Sequence, residues 1–291
     1  MIPFAQNLRA AGLIAAAMAL FGVSDAFIKY VTIYLPVGQI MALRGLLMAL
    51  LFLAVLRRQG HRFTPRLWLH PWNLARGASE ILCAAFYFQA LNHLPLGEAT
   101  TLFFIAPVLL TATAALFLGE QVGWQRWAAV AMGFAGVLIV AGPPRSWSIV
   151  ILLPLAAAAL SVLRDVLTRR VPHEVPAAAV SLVTAASMSL GGFSTAVLGW
   201  PMPSPGQLGL LLLSALIVGL GYQCYVLAIR RGELSFVSPF RYVAVPLAIL
   251  LGLIGWGEVP GPAKLFGAAI IVGSGLFIFH RERLRSRAVA A

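Results

Sequence analysis

Asp25-Ala26-Phe27-Ile28-Lys29, with Pro36 eleven residues after the acid, recurs as Asp165-Val166-Leu167-Thr168-Arg169, with Pro176 in the same place. The offset is 140 residues at the acid, the base and the proline. An apolar run, 13–22 in one copy and 153–163 in the other, leads into each acid. An internal repeat fixes how many units a chain holds, so everything else is read against it. The correspondence continues at an offset of 139 for Pro107 and Pro246 and 138 for Glu120 and Glu258, and returns to 140 for Ala129/Gly133 and Ala269/Gly273. The two halves are copies of one unit, 10–142 and 148–281, followed by a basic tail, 282–291.

Of the 291 residues, 60% are apolar and 10% charged, against roughly 25% charged in soluble proteins. So few charges cannot cover a soluble surface. The 21 basic residues outnumber the 9 acidic ones, but the bases lie in short connections between apolar runs. That pattern fits loops against anionic lipid and excludes nucleic acid as the partner. Cys83 and Cys224 each sit inside an apolar run far from any His, and read as small buried hydrophobes. The first apolar run is too long for a signal peptide's core, and its repeat partner lies in mid-chain, so it reads as a retained helix.

A bilayer core takes about 20 mostly apolar residues per helix, and ten such runs can be placed: 10–31, 36–56, 72–92, 98–118, 124–142, 148–168, 177–199, 207–229, 234–256 and 263–281. Turn chemistry separates them at Pro143-Pro144, 201–205 and 257–262. The expected fold is therefore an all-α integral membrane protein with ten transmembrane helices. Arg57, Arg58, Arg62, Arg66, Arg126, Arg169, Arg170, Arg230, Arg231, Arg281, Arg283, Arg285 and Arg287 fall on one side of that arrangement. Lys29, Arg145 and Lys264 fall on the other. Both termini are expected in the cytoplasm, with the chain in a bacterial inner membrane. Five spans per copy is an odd number, so the second copy enters the membrane upside down. Inverted repeats of this kind are common in secondary transporters, whose sites lie between the halves near the midplane.

An ionisable group inside a span is costly and therefore a functional candidate. Asp25 and Lys29, Asp165 and Arg169, and Arg76 and Glu80 are each spaced to pair along one helical face. The first four lie near helix ends, where they read as gate contacts or ion pairs, with Arg76 of the same kind. Arg44 and Arg241 lie near the middle of their runs with no acid within a turn. A midplane guanidinium needs a carboxylate, a carbonyl or an anionic substrate group to face. Tyr87, Phe88 and Gln89 in the third run, Tyr222, Gln223 and Tyr225 in the eighth, and Tyr242 beside Arg241 offer flat rings, phenols and amides that suit a polar heteroaromatic ligand. With Arg44, Arg241 and Glu80 they form the expected substrate site. Pro107 and Pro246, at matching positions, are expected to kink their helices and act as hinges. Ala129 with Gly133 and Ala269 with Gly273 are small faces for close helix packing. No phosphate-binding loop, zinc motif or nucleophile elbow occurs, so neither a metal nor a cofactor is expected.

Gly119-Glu120 and Gly257-Glu258, each leading into the last run of a copy, and Gly133-Phe134-Ala135-Gly136-Val137 resemble the drug/metabolite transporter superfamily with two EamA-type repeats. The resemblance covers nearly the whole chain. Ser24-Asp25 with Lys29-Tyr30, Leu43-Arg44, Ala75-Arg76-Gly77, Trp124-Gln125-Arg126-Trp127 and Pro239-Phe240-Arg241-Tyr242 look like the branch that holds bacterial S-adenosylmethionine and riboflavin transporters. The resemblance implies a permease that moves a small organic metabolite by alternating access. The site would lie between helices 1–4 of one half and 6–9 of the other. An amino-acid or drug exporter of the same superfamily, an integral-membrane enzyme on a lipid-linked substrate and a non-transporting scaffold are the alternatives. The partners expected are the substrate and membrane lipid. Coupling to protons through Asp25, Glu80 or Asp165, the direction of transport and the oligomeric state are left open.

Overall fold

The computed structural model describes residues 4–61, 64–117, 124–141, 149–232 and 237–290. Among them no strand occurs, and the chain is a succession of helices. These are α1 (Phe4–Val31), α2 (Val37–Arg58), the single-turn α3 (Pro65–Trp68), α4 (Pro71–His93), α5 (Leu96–Phe103), α6 (Ala106–Phe117) and α7 (Trp124–Ala141) in the first half. The second half holds α8 (Ile149–Arg170), α9 (Ala177–Phe193), α10 (Pro205–Arg231), α11 (Ala244–Trp256) and α12 (Pro262–Ala290). Short 3-10 turns lie at Ala196–Leu198 and Ser238–Val243. Five helices are long and apolar enough to cross a membrane: Ala5–Val31, Val37–Arg58, Ile149–Arg170, Ala177–Leu198 and Pro205–Arg231. The protein is thus an all-helical membrane protein. Gly119, Glu120, Arg62, Pro143, Pro144 and Arg145 lie outside the described residues.

The repeated prolines have a local cause. Pro36 and Pro176 occupy the position just before α2 and α9, with φ, ψ of −60°, 145° and −58°, 146°. The ring fixes an extended entry and lacks the N–H that a helix start would leave unpaired, so the chain turns and a new helix begins. At α10 the start is closed differently: Ser204 accepts from the Gln207 backbone N–H while the Gln207 side chain accepts from the Ser204 N–H, with Pro205 following. α11 ends at Gly257 in the left-handed conformation, φ 65°.

The fourth and ninth apolar runs are not continuous helices with an internal kink. α5 stops at Phe103 and α6 starts at Ala106, so Pro107 stands in the first turn of a new segment. The 3-10 turn Ser238–Val243 likewise gives way to α11, and Pro246 stands in its first turn. A proline is tolerated in a first turn because the carbonyl it would block belongs to the preceding segment. Both halves therefore break the same helix at the same place. α12 runs on into the basic tail, to Ala290.

The main packing is between halves. α1 lies on α10, α4 on α8, α2 on α9, α7 on α12 and α5 on α11. Exchanging each element for its repeat counterpart returns the first four pairs, and turns α5 on α11 into the 3-10 turn Ser238–Val243 on α6, which are also in contact. At the α2–α9 crossing the backbones touch: a Cβ added to Gly45 would lie 2.7 Å from Ser189 N and 2.8 Å from Ala185 O. Ser189 Oγ donates to Ala42 O across the same crossing (2.9 Å). At α7–α12 the close approach is made by Gly136 and Gly267, each of whose added Cβ would lie 2.8 Å from the other's carbonyl oxygen. Gly273, expected in that face, meets nothing within 4 Å, whereas Gly133 faces Val108 and Ser274.

Candidate functional site

A cavity of about 110 Å³ lies between the halves. The first half contributes Met18, Phe21, Gly22 and Asp25 from α1, Arg44 and Met48 from α2, Glu80, Cys83, Ala84, Tyr87 and Phe88 from α4, and Thr100, Phe103, Phe104 and Ala106 from α5 and α6. The second contributes Arg164, Met188, Val218, Tyr222, Tyr225, Arg241 and Ala244. The spacing explains the lining. Met18, Phe21, Gly22 and Asp25 recur at i, i+3, i+4 and i+7, and Glu80, Cys83, Ala84, Tyr87 and Phe88 at i, i+3, i+4, i+7 and i+8, which is one helical stripe.

The expected site residues divide accordingly. Arg44, Glu80, Tyr87, Tyr222 and Arg241 line the cavity, and so does Asp25. Gln89 does not: two positions on from Tyr87 it has turned to the opposite face, where its Nε2 lies 3.0 Å from His93 Nε2. Gln223 is one position past Tyr222 and likewise turns away, whereas Tyr225, three positions on, returns to the lining. Tyr242 is buried beside Phe104 (ring centroids 6.1 Å apart) and does not reach the cavity. Tyr225 and Phe88, read in the sequence with Tyr222 and Tyr87, do line the cavity, whereas Arg164, Phe21, Phe103, Phe104 and the methionines were missed, although the α1 stripe carried the signal for Met18 and Phe21.

The expected intrahelical pairs are replaced by pairs between helices. Asp165, fully buried, receives Arg241 Nη2 (2.6 Å), Arg164 Nη2 (3.4 Å) and the Tyr225 hydroxyl (2.5 Å). That hydroxyl also accepts from Arg241 Nη2 (2.7 Å) and Arg164 Nη2 (2.9 Å), and both guanidinium groups lie over the Tyr225 ring, at 5.2 and 5.0 Å. Glu80 pairs with Arg164 Nη1 (2.8 Å) and accepts from the Tyr222 hydroxyl, not from Arg76. Arg76 instead donates to Thr168 Oγ1 (2.8 Å) and Thr184 Oγ1, away from the cavity. Arg241, expected to meet the substrate directly, is held by Asp165.

Lys29 and Arg169 do not pair with Asp25 and Asp165. Lys29 Nζ donates to Leu94 O (2.7 Å), just past the end of α4, and pairs with Glu258 (2.9 Å). Arg169 Nη2 donates to Gly232 O (2.7 Å), just past the end of α10. Leu94 and Gly232 are themselves repeat counterparts, 138 residues apart. Each long base reaches a carbonyl at a helix C-terminus, where the helix dipole is negative and the orphan carbonyl needs a donor. A fixed point on the neighbouring helix outcompetes the acid one turn away.

Asp25 is left as the exception. It lines the cavity with Tyr87, whose hydroxyl lies 3.1 Å from Thr100 Oγ1. Arg44 lines the same cavity, but no cation among the described residues pairs with Asp25 within 4 Å. Arg44 is held by Nη2 donation to Ser24 Oγ (2.8 Å), which is 2.8 Å from Ser214 Oγ, and lies over the Phe88 ring at 5.2 Å. Its Nε has no partner. Such a site can bind a ligand with ring faces, a donor and an acceptor. No His, Cys, Asp or Glu group suited to a metal occurs among the described residues.

Comparison with known proteins gives concordant results. Residues 8–142 and 147–280 each match the EamA-like transporter family. The chain is 31% identical to a riboflavin transporter of Rhizobium johnstonii over 75% of this chain and 73% of that one. It is 28% identical to a riboflavin transporter of Vibrio cholerae over 92% and 91%. A solved crystal structure shares the fold, with TM-score 0.75 and 22% identity over 94% of this chain and 98% of that one. With two matched copies that together span nearly its full length, the chain belongs to the EamA-like transporter family of the drug/metabolite transporter superfamily.

Proposed function

We propose that the protein is a riboflavin-type permease: a carrier that moves a neutral heteroaromatic metabolite across a bacterial inner membrane by alternating access between two inverted five-helix repeats. The observation that carries the reading is the cavity between the halves, where rings and methionines form the walls. Its only acid without an ion pair among the described residues, Asp25, stands beside Arg44. The names of the relatives point to the same ligand class. The inverted arrangement is supported by the pairs α1–α10, α4–α8, α2–α9 and α7–α12, which are unchanged when the halves are exchanged, and both termini would then be cytoplasmic. The two broken helices, at 104–105 and 238–243, suit hinges for rocking one half against the other, with Pro107 and Pro246 as their first turns. Lys29 with Glu258 and Arg169 at Gly232 would be contacts at the two mouths.

The test is uptake. Expressed in a riboflavin-requiring strain without a flavin carrier, the protein should permit growth on low riboflavin and saturable uptake of labelled riboflavin. Absence of uptake at normal membrane abundance, with transport of S-adenosylmethionine or an amino acid instead, would assign the site to the other ligand. Asp25 and Arg44 also suit the ammonium and carboxylate of a zwitterion, which makes the amino-acid arm the necessary control.

A further inference from the structure

The two repeat-equivalent acids sit in unequal surroundings. Tyrosines stand at equivalent positions beside them, 138 residues apart: Tyr225 donates to Asp165 at 2.5 Å, and Tyr87 lines the cavity with Asp25. Asp165 has two guanidinium groups besides. At the 140-residue offset the counterpart of Arg164 is Ser24, and at the 139-residue offset of the nearby prolines the counterpart of Arg241 is Leu102. The donors that saturate Asp165 are therefore missing around Asp25, and the cavity opens in their place. A carboxylate accepts about four hydrogen bonds, and an acid in a low-dielectric site needs them supplied.

Arg44 shows the complementary deficit. Its side chain is 4% exposed and anchored at Nη2 by Ser24, yet Nε has no partner. A buried donor without an acceptor is uncommon in a native protein. Arg44 and Asp25 balance each other's charge, while Glu80 and Asp165 are already neutralised by Arg164 and Arg241. The site asks for a neutral group that brings a donor and an acceptor side by side, on a ring flat enough to lie among Phe21, Phe88 and Phe103.

We propose that Asp25 and Arg44 together read the imide edge of the substrate's heteroaromatic ring, the carboxylate accepting the ring N–H and the guanidinium donating to the adjacent carbonyl. This rests on the riboflavin-type reading and adds to it the edge of the ring that is recognised and the residues that set specificity. A site built around hydrogen bonds to a ligand rejects an analogue that lacks the donor far more strongly than an apolar pocket rejects an extra methyl group.

The experiment measures binding of riboflavin and 3-methylriboflavin to the purified protein in detergent, by quenching of flavin fluorescence. The wild type should bind riboflavin at least about tenfold more tightly than the methylated flavin, which has no imide N–H. Asp25→Ala should weaken riboflavin and bring the two affinities together. Arg44→Gln should weaken both flavins and leave a preference for riboflavin. Equal affinity of the two flavins for the wild type overturns the imide-edge proposal, whatever the variants do, and leaves the riboflavin reading standing. No flavin binding, with binding of an aromatic amino acid or S-adenosylmethionine instead, overturns both.

Discussion

Asp25→Asn and Asp165→Asn delete the same charge at equivalent positions of the two halves, and the surroundings predict opposite consequences. Asp165 is fully buried and compensates Arg241 at 2.6 Å and Arg164 at 3.4 Å. Removing one partner of a buried ion pair costs about 3–5 kcal/mol, because the other charge is left uncompensated. Two guanidinium groups share this acid, so the upper part of that range applies. At about 4–5 kcal/mol and about 2–4 °C per kcal/mol for a chain of this size, the melting temperature in detergent should fall by roughly 8–20 °C. Asp25 has no ion pair within 4 Å, and its replacement removes only the longer-range compensation of Arg44, which Ser24 still holds at 2.8 Å beside the cavity, for a loss of about 1–2 kcal/mol, well below that at Asp165. Asp25→Asn should therefore reach the membrane at normal abundance and melt near the wild type, yet transport poorly. Thermal unfolding followed by tryptophan fluorescence, with uptake measured in parallel, separates the two. Equal melting of the two variants, or a stable Asp165→Asn, would refute the assignment of one acid to structure and the other to the site.

Three further outcomes follow from the packing. Gly45→Ala should destabilise by about 1–3 kcal/mol, because its Cβ would meet the Ser189 and Ala185 backbones at 2.7 and 2.8 Å. Gly12→Ala, which meets nothing within 4 Å, should be neutral or stabilise by up to about 1 kcal/mol; melting curves of the pair test this. A double-mutant cycle with Lys29→Met and Glu258→Gln should give a coupling of about 1 kcal/mol, since the two side chains are 11% and 21% exposed; additive effects would remove the pair from the mouth of the protein. In a Cys224→Ser background, Cys83, which lines the cavity, should react slowly with a small maleimide and more slowly still with riboflavin bound. Unchanged labelling in the presence of saturating riboflavin would place the ligand elsewhere.

Much of the fold is legible in the sequence because it follows from local rules repeated twice. Pro36 and Pro176 start helices for a reason carried by the proline ring, and the apolar runs end where turn residues fall. The broken helices were harder to read. Pro107 and Pro246 signal that something happens, but whether a proline kinks a helix or opens a new one depends on where the preceding segment stops. Pairing of the charges was the least legible. Asp25 with Lys29 satisfies the spacing rule for a helical pair, yet Leu94 O and Glu258 come from 65 and 229 positions further along, and no spacing rule reaches that far. Gln89 and Gln223 were assigned by depth alone, and rotation about the helix axis decides whether a residue at the right depth faces the right way.

Symmetry and its loss divide the residues by task. Where the halves agree, the physics is structural: Lys29 and Arg169 hold equivalent helix ends at Leu94 and Gly232. A copied contact survives copying because it stabilises each half in the same way. Where they differ, one half has kept its acid closed and the other has opened it. Arg164 and Arg241 surround Asp165, while Ser24 and Leu102 stand at the corresponding positions near Asp25. A small asymmetric molecule cannot be matched by a symmetric cradle, since its ring edge carries donors and acceptors on one side only. The binding residues are therefore to be sought where the second copy has departed from the first, and Arg44, whose 140-residue counterpart is Thr184, meets that criterion as Asp25's surroundings do.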